Sequence, residues 1–313
     1  MNEHVRKSLA LLVTFVALTL FGTAVDAAPM SIRQLGQEQL RLAAIDYRVG
    51  AANSSGCARP VMLSGLVLHD LTQYAPAARA AVSSAFSLHD GVGVLQVVPG
   101  SVAGEAGFRT DDEILAVNGL SVEQPAAVAG APQSYRRLGL FNDALAAALR
   151  SGPADMLVRR SGRLLHLILR GQPACGGDAS VILSSDSNAW SDGEHVFVSS
   201  AMMRLAPSDD ELAFVVAHEM AHNILGHSSS GDTHGLLGLF GVGAWRVRRE
   251  ETAADALAVP LMSAAGFAPA SAVELLETFR RSRWWAISLD HPGFGDRIRT
   301  VTAAIARIPP QRT

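Results

Sequence analysis

Lysine is nearly absent from this chain. Among its 26 basic residues only Lys7 is a lysine, and it sits in an N-terminal segment read below as a removable leader. Chemistries that need a lysine amine in the mature chain are thereby excluded: a Ser-Lys dyad, a Schiff base, or a P-loop lysine on nucleotide phosphates. Charge is also sparse, with 26 Lys and Arg against 29 Asp and Glu, 18% charged residues and a formal net charge of -3. Without a basic footprint there is no reason to expect nucleic acid as a partner. Beyond the N-terminal segment no uncharged apolar run reaches the roughly 18 residues that span a bilayer. What remains is a chain of 313 residues, 49% hydrophobic, enough for a sizeable core and about two domains.

Arg6 and Lys7 precede an uncharged apolar stretch over residues 9–25, and Val25-Asp26-Ala27-Ala28 puts small residues where a signal peptidase reads. The layout predicts a signal peptide over 1–27 and an exported, periplasmic protein. An uncleaved N-terminal anchor is the alternative, because the apolar part matches the shortest membrane spans. The glycine-rich stretch 235–245 is too short to span and reads as a loop or a surface-seeking patch, which allows peripheral membrane contact. The only cysteines are Cys57 and Cys175. In an oxidising compartment an even pair favours a disulfide over two buried thiols.

Apolar spacing predicts an amphipathic helix over 31–49, a strand over 61–68 and a short Pro-started helix over 76–86. From Gly91 the texture changes to short apolar runs punctuated by glycine, with a tight-turn signal at Asn118-Gly119. A helix over 135–150, a hairpin about Ser161-Gly162 and strands at 181–183 and 196–198 follow. The remainder is patterned as helix.

Ser208-Asp209-Asp210-Glu211 has the form of a capping box and opens a run that is apolar nearly all round, as in a buried helix. Within it stand His218, Glu219 and His222. Histidines four apart lie about 40° apart on one helix face, so both reach one ion. Glu219 falls on adjoining surface, where it meets a water at the metal without being a ligand. The His-Glu-x-x-His pattern arises by chance on the order of 0.01 times in such a chain. Neutral imidazoles with an oxygen ligand suit zinc. His227 lies about 140° round the helix from His222 and fails as third ligand. Glu251 fits better, with Asp255 one turn on to receive the outer N–H of a ligating histidine. Glu250 is the rival acid, although it shares its face with Ala254.

These residues resemble those of the zinc peptidases of family M48, which include the CAAX prenyl proteases and HtpX-like enzymes. The resemblance covers residues 176–313. It rests on Asn188-Ala189-Trp190, Asp210-Glu211-Leu212 leading into His218-Glu219-Met220-Ala221-His222, Arg248 to Asp255 in the form Arg-x-x-Glu-x-x-Ala-Asp, and His291-Pro292 followed by Arg297-Ile298. It implies a gluzincin-type endopeptidase with one Zn2+ per chain on His218, His222 and Glu251. Glu219 is then the general base, and Asp255 supports a ligand. Asn188 and Ala189 belong to an edge strand that pairs with substrate. His291 and Arg297 stand near the oxyanion or the substrate. The implied substrates are exported or misfolded envelope proteins, and the rival is a non-proteolytic chaperone or adaptor with a structural or latent zinc.

Residues 86–171 resemble a PDZ domain of the bacterial protease type, through Gly91-Val92-Gly93-Val94, Pro99-Gly100-Ser101, Ala106-Gly107-Phe108 and Asp112 to Gly119. Such a domain implies protein or peptide partners with exposed C-termini, and Gly91, Val92, Gly93 and Val94 are read as the carboxylate-binding loop. Asp111 replaces a usual glycine, a position that Asp tolerates at positive φ. The expected fold is α+β: a mostly helical zincin-type domain with a small antiparallel sheet, and an inserted β-rich PDZ domain. Residues 28–85 supply a helix and linker elements to the peptidase, 86–171 the insertion and 176–313 the catalytic domain. The Cys57–Cys175 disulfide joins the two roots of the insertion.

Overall fold

The computed structural model describes residues 32–58, 60–125, 128, 130–193, 195–227, 242–281 and 293–309, with backbone alone for 242–246. The expected signal segment, residues 235–241 and His291 lie outside these residues. Helix α1 (Ile32–Ala52) serves two cores. Leu42, Ile45 and Val49 enter the larger C-terminal core. On the other side Ile32 and Ala43 pack against Val67, Val82, Phe86 and Leu95, and the Tyr47 hydroxyl accepts the N–H of Val102 at 3.2 Å.

The single strand expected over 61–68 is two strands, β1 (Val61–Leu63) and β2 (Leu66–His69), which join different sheets. The break falls at Gly65, whose φ is +73 and where any Cβ would collide with Ser101. Next come helix α2 (Arg79–Phe86), strand β3 (Val92–Val97), the short α3 (Val102–Glu105), β4 (Glu113–Val117) and β5 (Leu120–Ser121). Helix α4 (Arg136–Ser151) and the hairpin β6 (Ala154–Arg160) and β7 (Arg163–Leu169) complete this half. The strands form an antiparallel sheet in the order β2-β3-β4-β6-β7, with β5 on β4. Asn118 and Gly119 both take positive φ, 52° and 79°, as the tight turn requires, and Asp111 takes φ 66°. Leu138, Phe141, Leu145 and Leu149 of α4 are buried against Val92, Ile114 and Met156 of the sheet.

Strand β8 (Gln172–Ala174) returns to pair antiparallel with β1, Val61 opposite Ala174 and Leu63 opposite Gln172. Cys57 and Cys175 form a disulfide at the end of this ribbon, with Cα atoms 5.4 Å apart. The six-stranded sheet lies between these two roots in sequence. It begins at Leu66, so the expected boundary at residue 86 is too late: β2 pairs with β3, and α2 packs beside it.

In the C-terminal half, β9 (Ala179–Ile182), β10 (Ala189–Ser191) and β11 (Val196–Ser199) form a sheet in the order β10-β11-β9. It is mixed where an antiparallel sheet was expected. The chain crosses from β9 to the outer edge as β10 and returns through the middle as β11, which leaves β11 parallel to β9. Helices α5 (Ser200–Leu205), α6 (Asp209–Leu225), α7 (Val242–Ala264), α8 (Ala270–Arg281) and α9 (Phe294–Ile305) follow. None of the described helices is long and apolar enough to cross a membrane.

Helix α6 begins at a complete capping box. Glu211 N–H donates to Ser208 Oγ at 3.2 Å, and Ser208 N–H donates to Glu211 Oε2 at 3.0 Å. Its residues Leu212, Phe214, Val216 and Met220 are buried in the core, with Ala254, Ala258 and Met262 of α7 and Leu275 and Leu276 of α8. Truncating such a side chain costs roughly 2–5 kcal/mol. That rigidity fixes the axis from which the polar side chains of α6 project.

Candidate metal centre

Four-residue spacing on α6 sets the imidazoles of His218 and His222 one above the other, with their Nε2 atoms 3.2 Å apart. Helix α7 brings Glu251 to the same point: Oε2 is 3.4 Å from His218 Nε2, and Oε1 is 3.3 Å from His222 Nε2. One ligand atom from each of the three lies within 4.8 Å of the others. Of the rival acids it is thus Glu251 that faces the histidines.

Asp255, one turn further along α7, is fully buried, and its Oδ1 is 3.0 Å from His218 Nδ1. Arg297 of α9 clasps it with two charge-assisted hydrogen bonds, Nε to Oδ2 at 2.8 Å and Nη2 to Oδ1 at 2.7 Å. Its third nitrogen is 3.8 Å from Glu251 Oε2. Arg297 was expected beside the oxyanion or the substrate. Instead its fork is committed to the carboxylate behind the ligand.

The charges respond accordingly. Burial disfavours a charged ring at His218, but Asp255 and Glu251 outweigh it and push the pKa up to about 10. Burial likewise opposes the carboxylate of Glu251, yet the two histidines and Arg297 hold it well below the usual range. Asp255 is lowered against burial by Arg297 and His218. Glu219 differs: burial raises its pKa, and the nearby positive groups only moderate the rise. The site therefore attracts positive charge while its neighbouring carboxyl is kept basic. Two imidazole nitrogens and one carboxylate oxygen, with a supporting acid behind one ring, are a donor set that suits zinc.

Strand β10 lies at the outer edge of its sheet. Asn188 is engaged inward, its C=O accepting Ser199 N–H at 2.8 Å and its N–H donating to Ser199 Oγ at 3.0 Å. By antiparallel alternation the backbone of Ala189 and Ser191 faces the open edge. The sequence reading missed Asn223 of α6, whose amide binds Gly193 and His195 in the turn that joins β10 to β11. Its place one residue after His222 was the available signal.

The expected carboxylate loop needs correction. Val92, Gly93 and Val94 are buried in β3, which is paired on both sides, and Gly91 N–H donates to Glu113 Oε1 at 2.8 Å. No peptide strand can be added there. The open edge beside α4 is β2, where Leu66 and Leu68 pack against the cluster containing Phe141 and Leu145. The signal in the sequence was Ser64-Gly65, a break between two apolar triplets, Val61-Met62-Leu63 and Leu66-Val67-Leu68.

A family model for peptidase family M48 matches residues 169–244, a span that includes His218 to His222 and stops before Glu251. A model for a PDZ domain matches residues 93–134. Among solved structures, the crystal structure of the HtrA3 PDZ domain bound to a phage-derived ligand (FGRWV) is similar at 17% identity, over 37% of this chain and 89% of that one. Its TM-score is 0.27. None of the curated proteins matches the chain. The chain thus carries a segment that matches peptidase family M48 and, ahead of it in sequence, a segment that matches a PDZ domain.

Proposed function

We propose that this chain is a zinc-dependent endopeptidase of exported proteins, with a PDZ domain that engages substrate C-termini. The observation that carries the reading is the meeting of His218, His222 and Glu251 within 4.8 Å, with Glu219 on the same helix. His218, His222 and Glu251 would hold the ion. When bound, zinc supplies a Lewis acid for the scissile carbonyl and lowers the pKa of water.

The remaining work belongs to the chain. Glu219, made more basic by burial, takes a proton from the attacking water and passes it to the leaving amine. Arg297 and Asp255 fix the ring of His218 from behind. The open edge of β10, at Ala189 and Ser191, aligns the substrate backbone by strand addition, and the β2 edge offers the PDZ domain the same mode of pairing for a peptide terminus. The disulfide suits an oxidising compartment outside the cytosol.

The test is cleavage of unfolded casein by the zinc-loaded chain. The expected result is hydrolysis that a chelator stops and added zinc restores. Binding of casein without cleavage, unchanged by the chelator, would instead establish the chaperone or adaptor reading.

A further inference from the structure

We propose that His227 is a positioning residue for His222: its Nδ1 accepts the Nδ1–H of His222 and so presents the Nε2 lone pair of His222 to the ion. The inference rests on the zinc-site reading above.

On a continuing helix a residue five positions on lies about 140° away and reaches nothing on the same face. Here the helix does not continue. Gly226 takes the left-handed conformation, φ 67°. Its N–H donates to Asn223 O at 3.3 Å, and the N–H of His227 donates to His222 O at 3.0 Å. These two bonds form a Schellman motif, which folds the residue after the glycine back over the residue five before it. An apolar contact often joins those two positions. In this chain two imidazoles stand there, with Nδ1 atoms 3.1 Å apart, ring centroids 5.2 Å apart and planes inclined at 65°.

Two ring nitrogens at that distance share one proton: one donates and the other accepts. The Nε2 of His222 faces Glu251 Oε1 at 3.3 Å and His218 Nε2 at 3.2 Å, the place where an ion sits. That nitrogen must keep its lone pair, which puts the ring proton on Nδ1 and makes His227 Nδ1 its acceptor. His227 then carries its own proton on Nε2. The opposite tautomer of His222 would aim a proton at the cation. The two ligand rings are thus supported differently. His218 is backed by the buried carboxylate of Asp255 and His222 by a neutral ring on the turn that ends the helix.

The test is the zinc affinity of the full chain, measured by competition with a chromophoric chelator for wild type, His227→Ala and His227→Gln. Wild type is expected to take up one zinc, and the alanine variant to bind it about 10- to 100-fold more weakly. Glutamine, whose carbonyl oxygen accepts the same proton, is expected to recover most of that loss. An alanine variant with wild-type affinity overturns this proposal and leaves the zinc site standing. A wild-type chain that takes up no stoichiometric zinc overturns the site and this inference together. Should the alanine variant fail to fold, nitrogen-15 spectra of the histidine rings in the zinc-loaded wild type decide. His222 with its proton on Nδ1 supports the proposal, and a ring ligating through Nδ1 refutes it.

Discussion

Asn223 ties the metal helix to the edge strand: its Oδ1 accepts the N–H of Gly193 at 2.8 Å, and its Nδ2 donates to the C=O of His195 at 3.2 Å. The same helical turn that carries His222 therefore also sets the distance between that ring and the backbone of β10. Loss of this clamp is expected to misplace the substrate without disturbing the ligands. Asn223→Ala should keep its zinc content and lose about 10- to 100-fold in kcat/KM, since displacements of about 1 Å have effects of that size. Peptide hydrolysis with parallel metal analysis checks this, and an unchanged kcat/KM would remove the clamp from the account.

Arg297 neutralises a carboxylate that has no access to water. Replacing it with leucine strands Asp255, and breaking a buried pair in this way destabilises by roughly 3–5 kcal/mol. Urea unfolding of the metal-free proteins near neutral pH should show a loss in that range; a loss under about 1 kcal/mol contradicts the pairing. The pH dependence has a definite sign. Because Arg297 holds the folded-state pKa of Asp255 below its ordinary value, the contribution is present above the unfolded pKa of about 3.9. It fades as pH falls through the folded value. The gap between wild type and variant should therefore narrow in acid.

His69 gives a second pH effect, far from the metal ligands in sequence. Its ring is 1% exposed and packs edge-on to Phe86 with centroids 5.2 Å apart, and burial lowers its pKa to about 4. The unfolded ring titrates near about 6.5. Between those values the unfolded chain binds a proton that the native chain refuses, so stability is full above the upper value and falls on acidification toward the lower. The limiting effect is about 3 kcal/mol. His69→Phe should flatten this part of the stability profile between pH 7 and pH 4, measured by urea unfolding. Parallel profiles for the two proteins would contradict the assignment.

The disulfide spans 118 positions, a loop for which chain entropy gives about 4–5 kcal/mol of stabilisation. Cys57→Ser with Cys175→Ser should lower unfolding stability by up to that amount. It should also speed proteolysis within residues 58–174, because the roots are then held only by non-covalent contacts, the β1–β8 ribbon and the packing of α1. Wild-type stability and wild-type protease resistance in the double variant would show that the ribbon suffices.

The metal helix is legible in the sequence because its information is local: a cap, an apolar surround and two histidines at helical spacing. Glu251 and Asp255 share that locality on α7. The Arg297 clasp joins positions 42 apart, so spacing marks the arginine but cannot aim it. The PDZ edge is missed for a related reason. Its strand, Leu66–His69, meets its partner only after the helical passage through α2. The glycines at 91 and 93 look like a loop, yet they serve packing. Gly91 lies against the carbonyl of Ile114, and a Cβ on Gly93 would sit 2.6 Å from His69 Nε2. Close approach and tight turning leave the same residue in the sequence, and only tertiary contact separates them.

The central claim is that Glu219 moves the proton while His218, His222 and Glu251 hold the metal. Glu219→Gln keeps the size and shape of the side chain and removes its basicity. The account predicts one zinc per chain in this variant, bound as in wild type, with peptide hydrolysis lowered by at least about 10²- to 10⁴-fold. Zinc-loaded Glu219→Gln that cleaves casein at the wild-type rate would contradict it.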